Sequence, residues 1–190
     1  MPEPIPVWTV EDFLAWERQQ EERYELIDGI IVAMVGGTID HRIIIDNLVA
    51  VLRDGIKSRR CRAYSDGVKV AIGSQVYYPD VVVSCARQEP KSDFLKDPVL
   101  IAEVLSKTTA DFDRGRKWMY YQSLDCLLYY LLISQDRQRI DVYARDGNAW
   151  RYSVIGDGDG ELTLPALDCV VELDQVYRQT GLDPVTEEVP

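Results

Sequence analysis

Hydrophobic and polar positions change period several times along the chain, and each change predicts an element. Thr9 followed by Glu11 and Asp12 has the form of a helix start, and Val10, Phe13 and Leu14 give one apolar stripe ending near Gln20. Residues 24–35 read as a hairpin, because Asp28-Gly29 is a turn signal between Tyr24-Glu25-Leu26-Ile27 and Ile30-Ile31-Val32-Ala33. From Asp40 to about Ser58, Ile44, Leu48, Val51, Leu52 and Ile56 recur at helical spacing. Short strands are expected at 61–65 and 68–72. Nearly continuous apolar runs at 76–84 and 98–105 read as strands covered on both faces.

A helical segment at 110–123 then precedes a fully apolar strand at 126–133. Strand, helix and strand in that length form a βαβ unit with parallel strands and a right-handed crossover. Residues 140–145 and 149–154 form a hairpin around Asp146-Gly147-Asn148, and short strands or loops follow near 162–164 and 170–173. The pattern predicts an α/β fold: a mixed central sheet with a long helix before it and a crossover helix within it. A length of 190 residues favours one domain, placed at 1–182, with an acidic, frayed tail at 183–190.

Composition narrows the function. A net charge of −11 excludes a protein that coats DNA through a broad basic field, but leaves room for a nuclease with a local basic patch. Arg53, Lys57, Arg59, Arg60, Arg62 and Lys69 form such a patch against Asp54 and Asp66, either as a phosphate contact or as a solvated helix end. No run approaches the roughly 18 apolar residues of a membrane span, and Met1-Pro2-Glu3-Pro4 lacks the start of a signal peptide, so a cytoplasmic protein is expected. Cys61, Cys85, Cys126 and Cys169 are scattered without paired spacing. They are expected to be free thiols, neither a zinc site nor a disulfide framework.

Two carboxylates stand out of place. Asp80 lies within Val76-Tyr77-Tyr78-Pro79-Asp80-Val81-Val82-Val83, sharing a face with Tyr78 and Val82 by alternation, and Glu103 lies within Val99-Leu100-Ile101-Ala102-Glu103-Val104-Leu105. A buried, unpaired carboxylate costs several kcal/mol. Either each acid sits at a strand end and reaches solvent, or the pair shares a divalent cation, for which hard oxygen ligands suit Mg2+ or Mn2+. The polar loop Ser106-Lys107-Thr108-Thr109 is either a phosphate contact or a helix-capping loop. Asp113 and Lys117 are four apart, so they form a surface ion pair unless Lys117 points back to the carboxylates. His41, the only histidine, is a phosphate contact or a surface or capping residue. Glu25 is a third acid of the site or an exposed strand residue.

Taken in order, Tyr24-Glu25-Leu26-Ile27-Asp28-Gly29, His41, Tyr78-Pro79-Asp80, Glu103-Val104-Leu105-Ser106 and Asp113-Arg114…Lys117…Tyr120 resemble the Uma-type restriction-endonuclease family of the PD-(D/E)xK nuclease superfamily. The resemblance runs from about Thr9 to about Leu173. It implies a restriction-endonuclease-like fold and Mg2+- or Mn2+-dependent hydrolysis of phosphodiester bonds, DNA being the expected partner. It makes Asp80 and Glu103 the metal-binding acids, helped by the Val104 carbonyl, and Glu25 an upstream acid. The superfamily's usual lysine falls at Leu105, so the resemblance implies that Lys117 replaces it, with Lys107 in reserve. His41, Ser106, Lys107 and Arg114 are the expected nucleic-acid contacts. A homodimer is expected of an enzyme that cuts two strands. The alternative is an inactive nucleic-acid- or protein-binding module on the same fold, which Leu105 and the acidic bulk favour.

Overall fold

The side chain of Thr9 accepts the Asp12 N–H and so starts α1 (Val10–Glu17), which buries Phe13 and Glu17. The computed structural model describes residues 7–34, 36–56, 60–65, 67–106, 110–156 and 160–182. The hairpin follows as expected, β1 (Tyr24–Ile27) and β2 (Ile30–Ala33), with φ of 51° at Asp28 and 76° at Gly29. Two positive φ angles suit a hairpin turn whose twist matches the strands it joins. The long helix α2 (Ile39–Gly55) is capped by Thr38 and buries Ile44, Ile45, Leu48, Val49 and Leu52.

Next come β3 (Arg62–Ser65), β4 (Val70–Ile72), β5 (Gln75–Tyr77), β6 (Val81–Ser84) and β7 (Pro98–Leu105). The crossover helix is built of α3 (Ala110–Phe112), a π-helical turn at Asp113–Lys117, and α4 (Trp118–Tyr121). The chain ends with β8 (Tyr129–Ser134), β9 (Arg139–Asp146), β10 (Ala149–Gly156), β11 (Glu161–Leu164), β12 (Cys169–Glu172) and the short α5 (Leu173–Val176).

The central sheet has the order β10-β9-β8-β7-β6-β3. It is mixed, because β7 and β8 run parallel across the helical crossover and the other neighbours are antiparallel. One face, carrying Val81, Val83, Leu100, Ala102, Val104, Leu131 and Ile133, packs under α2 and the β11–β12 pair. The other, carrying Val82, Ile101, Leu105, Tyr130 and Leu132, packs under the crossover helix. Alternation along β7 therefore places Glu103 on the crossover-helix side. A second sheet, β2-β1-β5-β4, stands beside the first.

The run at 76–84 is not one strand. It breaks at Tyr78-Pro79-Asp80, where the chain leaves the second sheet after β5 and enters the central sheet at β6. Proline lacks the N–H that a central strand must donate, and that outweighs the apolar pattern around it. Asp80 thus stands at a joint between sheets, and the alternation argument for its facing does not apply.

The expectation of four free thiols is also corrected. Cys61 and Cys85 form a disulfide, while Cys126 and Cys169 are free. Antiparallel pairing of β3 with β6 sets Arg62 opposite Ser84, which brings the flanking residues 61 and 85 together. Cysteine spacing alone carries no trace of strand pairing. Among the described residues no helix is long and apolar enough to cross a membrane. The expected tail at 183–190 lies outside the described residues.

The disulfide closes a loop with a sequence separation of 24. Chain-entropy arguments assign such a loop about 3 kcal/mol. Peptide mapping without reductant should recover the Cys61–Cys85 pair, and urea unfolding with and without reductant should differ by about that amount. Equal midpoints would mean that the link does not stabilise the fold.

Candidate functional site

Glu103 is 3 % exposed in the middle of the central sheet, and its burial is made tolerable by what surrounds it. The Lys117 ammonium lies 3.1 Å from Glu103 Oε1, and the Tyr121 hydroxyl donates to the same oxygen at 3.0 Å. Lys117 is also within 3.3 Å of Asp113 Oδ1 and 3.5 Å of Glu25 Oε1. The Asp113–Lys117 pair is therefore a buried element of the site, which corrects the expectation of a surface ion pair. Helical spacing alone cannot show which way such a pair faces. The π turn lies where it helps most: its wider winding carries both residues over the sheet, and such turns recur at functional sites.

Asp80 meets this cluster from the joint. Its Oδ2 accepts the Val104 N–H at 2.7 Å, and its own N–H points to Glu103 Oε2 at 3.4 Å. Glu25 arrives from β1, buried, and accepts the Tyr78 N–H at 3.1 Å. It is not an exposed strand residue. The structure thus brings Glu25, Asp80, Glu103 and Lys117 together.

The electrostatics follow from this packing. Burial pushes the Glu103 carboxyl well above its ordinary value, opposed by Lys117 and reinforced by Asp113, Asp80 and Glu25. Burial disfavours the Lys117 ammonium, but Glu103, Glu25 and Asp113 outweigh it and hold the group well above the usual lysine range. Among the described residues, Glu25, Glu103 and Asp113 gather around the one Lys117 ammonium, and Asp80 stands between Glu103 and the His41 imidazole.

Supporting residues appear that sequence reasoning missed. Glu17 is buried at the end of α1, accepts the Tyr78 hydroxyl at 2.5 Å and pairs with Lys69 at 2.6 Å. This anchors the side chain that precedes Pro79-Asp80. Lys69 is thereby removed from the basic patch, since it faces inward; Lys57, Arg59 and Asp66 of that patch lie outside the described residues. At the hairpin tip, Tyr120 donates to Asp28 and Arg116 pairs with the same carboxylate at 3.0 Å, tying β1–β2 to the crossover helix. Glu17 carried one signal, an acid on the buried side of an amphipathic helix.

His41 projects from α2 toward Asp80, its Nε2 lying 3.4 Å from Asp80 Oδ2. Burial disfavours the imidazolium, but the Asp80 carboxylate and a hydrogen bond to the Val104 carbonyl outweigh it and raise the group above its ordinary value. His41 is not the helix cap, which is Thr38. A cleft of about 560 Å³ opens beside it, walled by Arg23, Gly37, Thr38, Arg42, Tyr78 and Asp80. The Ser106 carbonyl accepts the Ala110 N–H at 3.0 Å, ahead of the crossover helix. Arg114 turns to Asp141 of β9, 3.4 Å away. Lys107 lies outside the described residues.

Among the described residues, no three histidine, cysteine or acidic side chains form a ready cage for a metal. Asp80 and Glu103 with the Val104 carbonyl nevertheless fit a magnesium-type ion, which keeps several waters and needs only one or two carboxylates. The carboxylate excess favours such an ion.

A family model described as "Uma2: Putative restriction endonuclease" matches residues 10–175. Two uncharacterised proteins of Synechocystis are similar in sequence. One, slr1290, is 32% identical over 178 residues, which is 92% of this chain and 94% of that protein. The other, sll1609, is 32% identical over 149 residues, 75% and 83% of the two chains. The crystal structure of a "putative nuclease belonging to DUF820" from Anabaena variabilis superposes with a TM-score of 0.75 at 21% identity, over 92% of this chain and 98% of that one. At that identity the likeness shows the fold, a restriction-endonuclease-like mixed sheet flanked by helices.

The cluster makes opposite demands on its two central members. Lys117→Met leaves three buried carboxylates without their ammonium, and should cost about 3–5 kcal/mol near neutral pH. The Lys117 contribution is fully present below the ordinary lysine value and is lost as pH rises through its higher folded value. Glu103→Gln should instead raise the melting temperature near neutral pH. The folded state prefers a protonated Glu103, so stability is lost as pH rises from its ordinary 4.5 through the raised folded value, and Gln removes that loss. Below the ordinary value the gain should vanish. Melting curves across pH, taken in chelator, check both; a Glu103→Gln variant less stable than wild type at pH 7 would contradict the burial argument.

Proposed function

We infer that this chain, which belongs to the Uma2 family and has its restriction-endonuclease-like fold, binds nucleic acid in the cleft beside Asp80. The observation that carries this reading is the cleft itself: Arg23 and Arg42 line it, and it leads to the acid–lysine cluster. Two guanidinium groups in the lining, Arg42 with Asp46 3.3 Å away, suit a phosphate backbone, which takes most of its affinity from such contacts. On this reading the chain is a binding module, and the cluster, with Lys117 held by three carboxylates, is part of the scaffold.

A second reading, hydrolysis of phosphodiester bonds, is favoured by one specific observation. Lys117 reaches Glu103 from the crossover helix, so the two acids and the lysine stand together although Leu105 occupies the usual lysine position. Asp80, Glu103 and the Val104 carbonyl are then the donors for Mg2+ or Mn2+, an ion that supplies an activated water and offsets phosphate charge. Lys117 orients the attacking water and stabilises the charge that develops on the phosphate, while Glu25 holds Lys117 and the Tyr78 backbone in place. DNA is the expected substrate, and pairing of two chains would allow both strands to be cut.

One experiment separates the two readings. Fluorescence anisotropy with single- and double-stranded DNA and with RNA, in chelator, should show binding that Arg42→Ala weakens, the salt slope falling by about one. Adding Mg2+ or Mn2+ then tests cutting. Cleavage abolished by Asp80→Asn in a variant that keeps the wild-type circular dichroism spectrum establishes hydrolysis; nucleic acid bound and left intact keeps the binding module. No binding to any of the three probes overturns both.

A further inference from the structure

The ring of His41 occupies a seat shaped around it. A Cβ at position 37 would stand 2.5 Å from His41 Nδ1, so the ring can lie where it does because Gly37 has no side chain. Its other nitrogen faces Asp80 Oδ2 at 3.4 Å, and the same oxygen accepts the Val104 N–H at 2.7 Å. Capping of α2 does not need it, since Thr38 performs that role. One imidazole and one carboxylate thus meet at the cleft wall, next to the Val104 backbone that holds the carboxylate, with the imidazole side chain only 16 % exposed. Glu103 is engaged on the other side of Asp80, by Lys117 and Tyr121.

We propose that His41 is a nitrogen ligand of the cation site, joining Asp80 and the Val104 carbonyl on its cleft side. The proposal rests on the reading of Asp80 and Val104 as cation donors, not on cleavage. It concerns two side chains and one backbone oxygen. It also bears on the choice of ion. An all-oxygen set suits magnesium, whereas an imidazole nitrogen shifts preference toward manganese and the later first-row divalent ions. Gly37 becomes a positioning residue of the site.

The test is Mn2+ binding to the full chain, by calorimetry and by pulsed electron paramagnetic resonance, for wild type, His41→Gln and Gly37→Ala. The chain has a single histidine, so with any affinity tag removed an imidazole nitrogen coupled to Mn2+ can only be that of His41. The wild type should show that coupling and bind Mn2+ more tightly than Mg2+. Both variants should lose the coupling, with affinity down about tenfold or more. Gln retains an amide donor for Asp80, so a loss there reports the missing imidazole nitrogen. Should His41→Gln fail to fold, Gly37→Ala decides, because it keeps the histidine and moves the ring. Mn2+ bound without nitrogen coupling, or undiminished in the folded variants, overturns the ligand role and leaves the acid-pair reading standing. No Mn2+ binding by the wild type at millimolar metal overturns both.

Discussion

An ammonium group buried among three carboxylates governs the arrangement of this protein. Lys117 can stay charged inside only because Glu103, Glu25 and Asp113 surround it, and those acids can stay inside only because Lys117 is there. Each partner comes from a different element: β7, β1 and the crossover helix itself. The ion cluster therefore does what an apolar core cannot do alone. It specifies one relative placement of the central sheet, the hairpin and the helix, because any slip leaves a buried charge unpaired. The Tyr120 and Arg116 contacts to Asp28 repeat that constraint at the hairpin tip.

Chemistry and stability are set against each other in the same place. Burial raises the Glu103 carboxyl and favours its neutral form, whereas a cation would require the ionised one. An isolated acid in that position would gain by becoming Gln, so the Glu103 carboxylate is held there against its own burial cost. The surroundings of Asp80 point the same way, since a donor from β7 and the His41 ring are both turned to it.

Much of the fold was legible because local rules and tertiary packing agree. Asp28-Gly29 marks its hairpin, the Ile44–Leu48–Leu52 stripe marks α2, and the strand–helix–strand order requires the parallel β7–β8 pair. The acids of the site were legible for the opposite reason, because a charge inside an apolar run conflicts with burial. What could not be read were facts that exist only between elements. The Cys61–Cys85 link depends on the register of β3 against β6. The inward facing of Asp113 and Lys117 depends on a π turn, and that of Lys69 on a partner 52 positions earlier, Glu17. The break at Pro79 was readable in principle: the missing N–H is a local fact, but the apolar run on either side of it masked it.

The joint between the two sheets has a mechanical consequence. Only Tyr78, Pro79 and Asp80 separate β5 from β6, and Tyr78 is gripped at both ends, its amide by Glu25 and its hydroxyl by Glu17. With so little slack, the seating of the hairpin sheet and the position of the Asp80 carboxylate are one and the same choice, with no loop between them to absorb a mismatch.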